Sequence, residues 1–192
     1  MTRAMRFTGP TSPYARSTQR LYRSYLRGFL RYLYCERNLL SKNLAGLVIG
    51  PPMFAKAKPP KFLRPTEVRQ LFDRLPFSTS CELRTYAMVH LAYFLGLRPC
   101  EISGLTLDDI SFAKARLTLK NRKNNRPLQL PIPENALKAI TAYIVGARPQ
   151  SENRTLFLLL TPPYLPMNPN LVGHYLTGAL QTAGIVGTAY WL

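Results

Sequence analysis

Acidic side chains are scarce in this chain. Nine Asp and Glu stand against 26 Lys and Arg in 192 residues, a formal net charge of +17. Such a balance argues against a basic or cationic partner and points to a polyanion, most often nucleic acid. Cysteine is also rare. Cys35, Cys81 and Cys100 are odd in number, widely separated and form no C-x-x-C pair. That pattern excludes a disulfide framework and a thiolate metal site, and it predicts reduced, buried structural thiols in a cytoplasmic protein. The two histidines, His90 and His174, lie in apolar helical stretches. Each reads as a partly buried core residue, so no metal and no cofactor is expected. No apolar run approaches the ~18 residues of a membrane helix, and residues 1–13 lack the apolar centre of a signal peptide. An apolar fraction of 46% with 11% aromatics sets the chain apart from disordered basic tails.

The charge is distributed unevenly. Residues 1–64 hold 13 of the basic residues and one acid, Glu36, whereas residues 65–192 hold the other 13 with eight acids. Three parts follow: a basic module at 1–50, a Pro- and Lys-rich linker at 51–64, and an ordinary globular part at 65–192. The linker carries Lys56, Lys58 and Lys61 among its prolines and reads as extended and semi-rigid. In the basic module a helix is predicted over 15–37, with Tyr22, Leu26, Phe29 and Leu33 as an apolar stripe. Arg16, Arg20, Arg23, Arg27 and Arg31 recur at helical spacing as a second stripe with no acidic partners. Like charges on one face repel, and a phosphate backbone facing them removes that penalty. A short second helix is predicted near 41–48, too little for a core of its own.

The larger part reads as mainly helical with a small antiparallel sheet, an α+β arrangement. Helices are predicted over 65–75, 82–97, 99–105, 134–145 and 168–182. A short strand at 110–112 and a hairpin of 116–120 with 127–131 make the sheet. The run 156–160 is a buried strand or helix.

Two features carry chemistry. Arg98 stands between an apolar helix and a new helix start at Pro99, held by packed backbone on both sides. A planar guanidinium there suits a phosphate, and helix-start N–H groups favour anions. The hairpin is the second feature. Lys120 ends its inbound strand, and Arg122, Lys123 and Arg126 crowd its tip. An ordered lysine beside a phosphate can protonate a leaving oxygen; Lys120 is the first candidate and Lys123 the runner-up.

The order of these parts resembles the tyrosine recombinases, the phage integrase family. The residues that carry it are Gly96-Leu97-Arg98-Pro99-Cys100-Glu101-Ile102-Ser103-Gly104-Leu105, Leu107-Asp108-Asp109-Ile110, the stretch 120–131, and Pro60-Lys61-Phe62-Leu63-Arg64-Pro65-Thr66-Glu67-Val68 upstream. The resemblance implies that 1–50 is part of a helical core-binding module and 65–192 a catalytic domain cut short. It further implies strand transfer on duplex DNA through a covalent phosphotyrosine, without metal or nucleotide, with recombinase copies assembling on the DNA. Arg98 matches the first of two phosphate-binding arginines, Lys120 the hairpin lysine, and Glu101 a supporting acid. The family pattern continues with His-x-x-Arg, a His or Trp, and the nucleophilic Tyr. Tyr190-Trp191-Leu192 aligns with the His-x-x segment, so Tyr190 is expected to be a packing aromatic and not the nucleophile. A chain with these parts alone lacks the attacking group. It is then expected to bind duplex DNA as a remnant or an interfering partner of an intact recombinase. An unrelated basic RNA-binding protein is the remaining alternative.

Overall fold

The computed structural model describes residues 16–50, 61–120 and 127–192. The chain divides into two compact units, Met1–Pro59 and Pro60–Leu192. Lys56 and Lys58 of the linker, and Arg122, Lys123 and Arg126 of the hairpin tip, lie outside the described residues. Among the described residues no helix is long and apolar enough to cross a membrane.

The first unit is built on α1 (Arg16–Cys35). The helix ends where Asn38 takes a positive φ of 50° and Leu39 N–H returns to the carbonyl of Leu33 at 3.0 Å. Asn tolerates this left-handed geometry because its short polar side chain bonds locally. The expected second helix is a single 3-10 turn, Leu44–Leu47, capped by the Asn43 side chain accepting from Ala45 N–H at 3.0 Å. Its small core holds Ala45 and Val48. The apolar stripe is only half used: Leu26 and Leu33 are partly covered, but Tyr22 and Phe29 are 52% and 56% exposed.

The second unit begins with α2 (Pro65–Arg74) and the central α3 (Ser80–Leu95), followed by the short α4 (Pro99–Ser103). Three antiparallel strands come next: β1 (Ile110–Ser111), β2 (Arg116–Leu119) and β3 (Leu128–Pro131). Their order is β1-β2-β3, with Ile110 opposite Leu117 and Leu117 opposite Leu130. Two helices, α5 (Glu134–Gly146) and α6 (Pro169–Thr182), complete the layer around α3. Ala87, Met88, Val89 and Leu91 of α3 are fully buried together with Ile102, Leu117, Ile140, Tyr143, Leu176 and Leu180. Apolar side chains on every face of α3 make it the helix the others pack around.

Three expectations are corrected. The run 156–160 forms neither helix nor strand beyond one isolated bridge of Leu158 with Pro166. It is a buried loop whose polar backbone is met from outside. Leu156 N–H reaches the Leu105 carbonyl at 2.8 Å, and the Arg84 Nη1 donates to the Leu158 carbonyl at 2.8 Å. Arg148 donates to the carbonyls of Pro149, Asn153, Thr155 and Leu156. Buried loops exist only where such partners are supplied. The cysteines are not buried structural thiols: Cys35 and Cys100 are exposed and Cys81 is half-buried. Cys35 closes a helix that has little packed against it, and Cys100 sits on the outer face of α4. Finally, His90 is buried as expected, whereas His174 is exposed on α6.

Candidate nucleic-acid interface

Local structure fixes Arg98. Gly96 ends α3 in the left-handed region (φ 63°, ψ 30°), buried Leu97 anchors the chain, and Pro99 starts α4. The Glu101 carboxylate accepts from the Arg98 backbone N–H at 2.9 Å, and its other oxygen lies 3.4 Å from Arg98 Nη1. The Arg98 side chain is 66% exposed and that of Glu101 only 8%. A largely buried carboxylate therefore holds an outward-facing guanidinium. The expected help from the helix start is small: α4 has five residues, and Glu101 already takes the N–H of Arg98. The cation itself is the anion-attracting element.

Arg98 borders an open groove of roughly 500 Å³ lined also by Cys100, Asn170, His174, Thr177 and Tyr190. Tyr190 does not pack at the end of the chain. It is 84% exposed, while its neighbour Trp191 is half-covered and receives Lys61 Nζ at 5.3 Å from the ring centroid. The single 3-10 turn Ala189–Trp191 points these two rings differently.

Lys120 follows β2. Its Nζ lies 2.8 Å from Oδ1 of Asp109, a residue at the end of the 3-10 turn Leu107–Asp109. The other Asp109 oxygen accepts from the N–H and hydroxyl of Thr106. Burial pushes the Asp109 carboxyl up, but the bonds from Lys120 and Thr106 outweigh it and hold the group below the ordinary carboxylate value. The same bond holds Lys120 above the ordinary lysine value. Asp108 is engaged elsewhere, in a two-point ion pair with Arg154. A small cavity of roughly 110 Å³ is lined by Glu101, Thr106, Asp109, Thr118 and Lys120, and it shares Cys100 with the Arg98 groove. The two cations thus stand on adjoining surface.

The arginine stripe of α1 is less uniform than its spacing implies. Arg20 and Arg31 are exposed. Arg23 is turned inward, 7% exposed, against Gly50, and Arg27 Nε donates to the Val48 carbonyl at 2.8 Å. Arg16 lies in the first turn of the helix. Two stripe positions therefore hold the unit together. Among the described residues no group of three or more His, Cys, Asp or Glu is placed to hold a metal.

Sequence reasoning missed Asp109 and His174 as parts of the site. The Thr106-x-x-Asp109 spacing is a capping signature that could have flagged the first. Nothing in the sequence marks the second.

The sequence model of the phage integrase family matches residues 61–190. Tyrosine recombinase XerC of Azotobacter vinelandii is 36% identical over 130 residues, covering 68% of this chain and 42% of that protein. Tyrosine recombinase XerC of Anoxybacillus flavithermus is 29% identical over 166 residues, covering 84% of this chain and 54% of that protein. The chain thus spans about half the length, or less, of the curated relatives it matches. Among solved structures, XerH site-specific recombinase bound to difH substrate superposes with a TM-score of 0.69 at 14% identity, covering 95% of this chain and 53% of that one. Lambda integrase (residues 75–356) bound to DNA gives 0.65 at 15% identity, covering 91% and 61%. These likenesses establish the fold: a mainly helical protein with a small antiparallel sheet.

Proposed function

We propose, because this chain belongs to the phage integrase family, that it supplies part of the phosphate-handling surface of a DNA strand transferase. In this reading Arg98 clamps the scissile phosphate and Lys120 gives a proton to the leaving 5′-oxygen. Phosphoryl transfer depends chiefly on fixed cations where charge develops, and a proton donor must already stand within reach. The observation that carries the reading is the pairing itself. Each cation is exposed, and each is held by its own, far less exposed carboxylate on adjoining concave surface. Exposed Arg20 and Arg31, with the cations of the linker and hairpin tip, supply distributed contacts along the backbone of duplex DNA, and copies of the recombinase assemble on it.

One observation favours a second reading, duplex binding without cleavage by these residues alone. Arg84 and Arg148, two arginines of the second unit, are turned onto backbone carbonyls. The groove therefore has Arg98 as its one lining arginine among the described residues. The test uses the 192-residue chain with labelled duplex DNA in a salt titration and, separately, a nicked substrate that traps covalent adducts. Salt-sensitive binding with preference for duplex over single strands supports both readings. Preference for single strands or A-form helices would overturn both in favour of an RNA-binding protein. A metal-independent covalent adduct, lost in Arg98→Ala, selects strand transfer; its absence selects binding alone.

A further inference from the structure

Asp109 is a buried carboxylate to which the reaction above gives no role beyond its pairing with Lys120. Its Oδ2 is fixed by Thr106, which donates from the N–H at 2.9 Å and from the hydroxyl at 2.7 Å. Its Oδ1 faces Lys120 at 2.8 Å. The carboxylate is thus oriented by its own turn, independently of the lysine. The sheet register explains the meeting. Ile110 lies opposite Leu117; Asp109 stands one residue before β1 and Lys120 one residue after β2, and both line one small cavity with Thr118. Lys120 itself is 62% exposed, and a free lysine tip samples many rotamers that any productive geometry must then exclude.

We propose that Asp109 is a positioning residue for Lys120: it holds the ammonium over the concave surface beside Glu101 and Cys100 before DNA arrives, and yields it to an incoming phosphate. This rests on the reading of Lys120 as a residue that meets phosphate. Thr106 keeps Oδ2 of Asp109 hydrogen-bonded throughout, while the cost of leaving Oδ1 without its cation holds Lys120 in place until a phosphate offers a stronger partner. The carboxylate raises the lysine above its ordinary value, but an exposed lysine is protonated at neutral pH without it, so what Asp109 supplies is position.

The test reads the lysine ammonium signals of the isotope-labelled 192-residue chain by NMR, with Lys120→Met as assignment. The wild type should show an exchange-protected Lys120 ammonium. Asp109→Asn, which keeps an oxygen for Thr106, should abolish that signal and move the lysine titration downward. In the Lys120→Met chain, which changes an exposed side chain, the Asp109 carboxyl should titrate higher than in the wild type. An unchanged Lys120 signal in folded Asp109→Asn, or an unmoved Asp109 titration in Lys120→Met, would overturn the proposal. A short random-sequence duplex separates this from the underlying reading. If the duplex moves the wild-type Lys120 signal while Asp109→Asn leaves the free chain's signal unchanged, positioning fails and the phosphate reading stands. If Asp109→Asn abolishes the signal but duplex never moves it, the phosphate reading fails and the pair is only a brace of the hairpin.

Discussion

Replacing Gly96 with alanine tests the turn that delivers Arg98. Gly96 has φ 63°, and no atom lies within 4 Å of where a Cβ would stand. The substitution therefore meets no clash, and its whole effect is the left-handed backbone, roughly 1–2 kcal/mol against folding. Gly178, inside α6, has equally open space but a helical backbone. Alanine there should stabilise by about 0.5–1 kcal/mol. For a unit the size of Pro60–Leu192, 1 kcal/mol corresponds to about 4 °C in Tm. Gly96→Ala should melt about 4–8 °C lower and Gly178→Ala about 2–4 °C higher. Gly96→Asn should fall between wild type and Gly96→Ala, since Asn tolerates this geometry. The assay is thermal melting followed by the single tryptophan, Trp191, which packs in this unit. If Gly96→Ala melts at or above the wild type, the left-handed turn does not exist in solution, and the path from α3 into Arg98 is wrong.

Burial among Phe72, Tyr86 and Phe94 pushes the His90 imidazole below its ordinary 6.5, against the opposing bond to the Tyr86 carbonyl. The unfolded chain then takes up the proton first, so stability falls as pH drops below 6.5; His90→Phe should flatten that limb in melts run across it, and an unchanged slope would refute the assignment. Arg148→Met leaves four backbone carbonyls without their donor and should lower stability on the order of 3 kcal/mol in urea unfolding. Arg20→Ala or Arg31→Ala should each reduce the slope of log affinity against log salt for duplex binding by about 1, with folding unaffected. Arg27→Ala should instead loosen the first unit by about 1 kcal/mol through loss of the Val48 bond, seen as faster amide exchange around Val48.

Much of the second unit was legible because its ends are punctuated. Pro65, Pro99 and Pro169 mark three helix starts through a local rule that needs no tertiary context, whereas the helix predicted over 82–97 runs past Gly96, where α3 has already ended at Leu95. The hairpin was legible from alternation, and Arg98 from its place between an apolar helix and Pro99. What failed depended on neighbours distant in sequence. The apolar run 156–160 has no period, and its irregular backbone survives only because Arg84 arrives from α3 and Arg148 from just past the end of α5. The α1 arginines share a spacing, but only the segment around the later 3-10 turn buries Arg23 and draws Arg27 onto the Val48 carbonyl. Asp109 stood out only as part of Leu107-Asp108-Asp109-Ile110, because its partner, Lys120, is brought to it by strand pairing and not by adjacency.

The distribution of carboxylates explains why so few acids suffice for folding and leave the surface basic. Four of the nine acids accept from a backbone N–H three residues upstream: Glu67 from Arg64 at 2.7 Å, and Glu82 from Thr79, Glu101 from Arg98 and Asp109 from Thr106, each at 2.9 Å. Each satisfies a donor that a helix or 3-10 start would otherwise leave open. A carboxylate placed there stabilises the fold without covering the cations elsewhere on the surface, so the net charge of +17 stays available to a polyanion. The two exceptions are informative. Glu101 and Asp109 cap a turn and also hold a cation, and those cations are Arg98 and Lys120. Capping requires each acid to sit rigidly, and a rigid acid fixes the reach of the cation paired with it. The device that starts a local turn is thereby the device that aims each of the two candidate phosphate-binding groups.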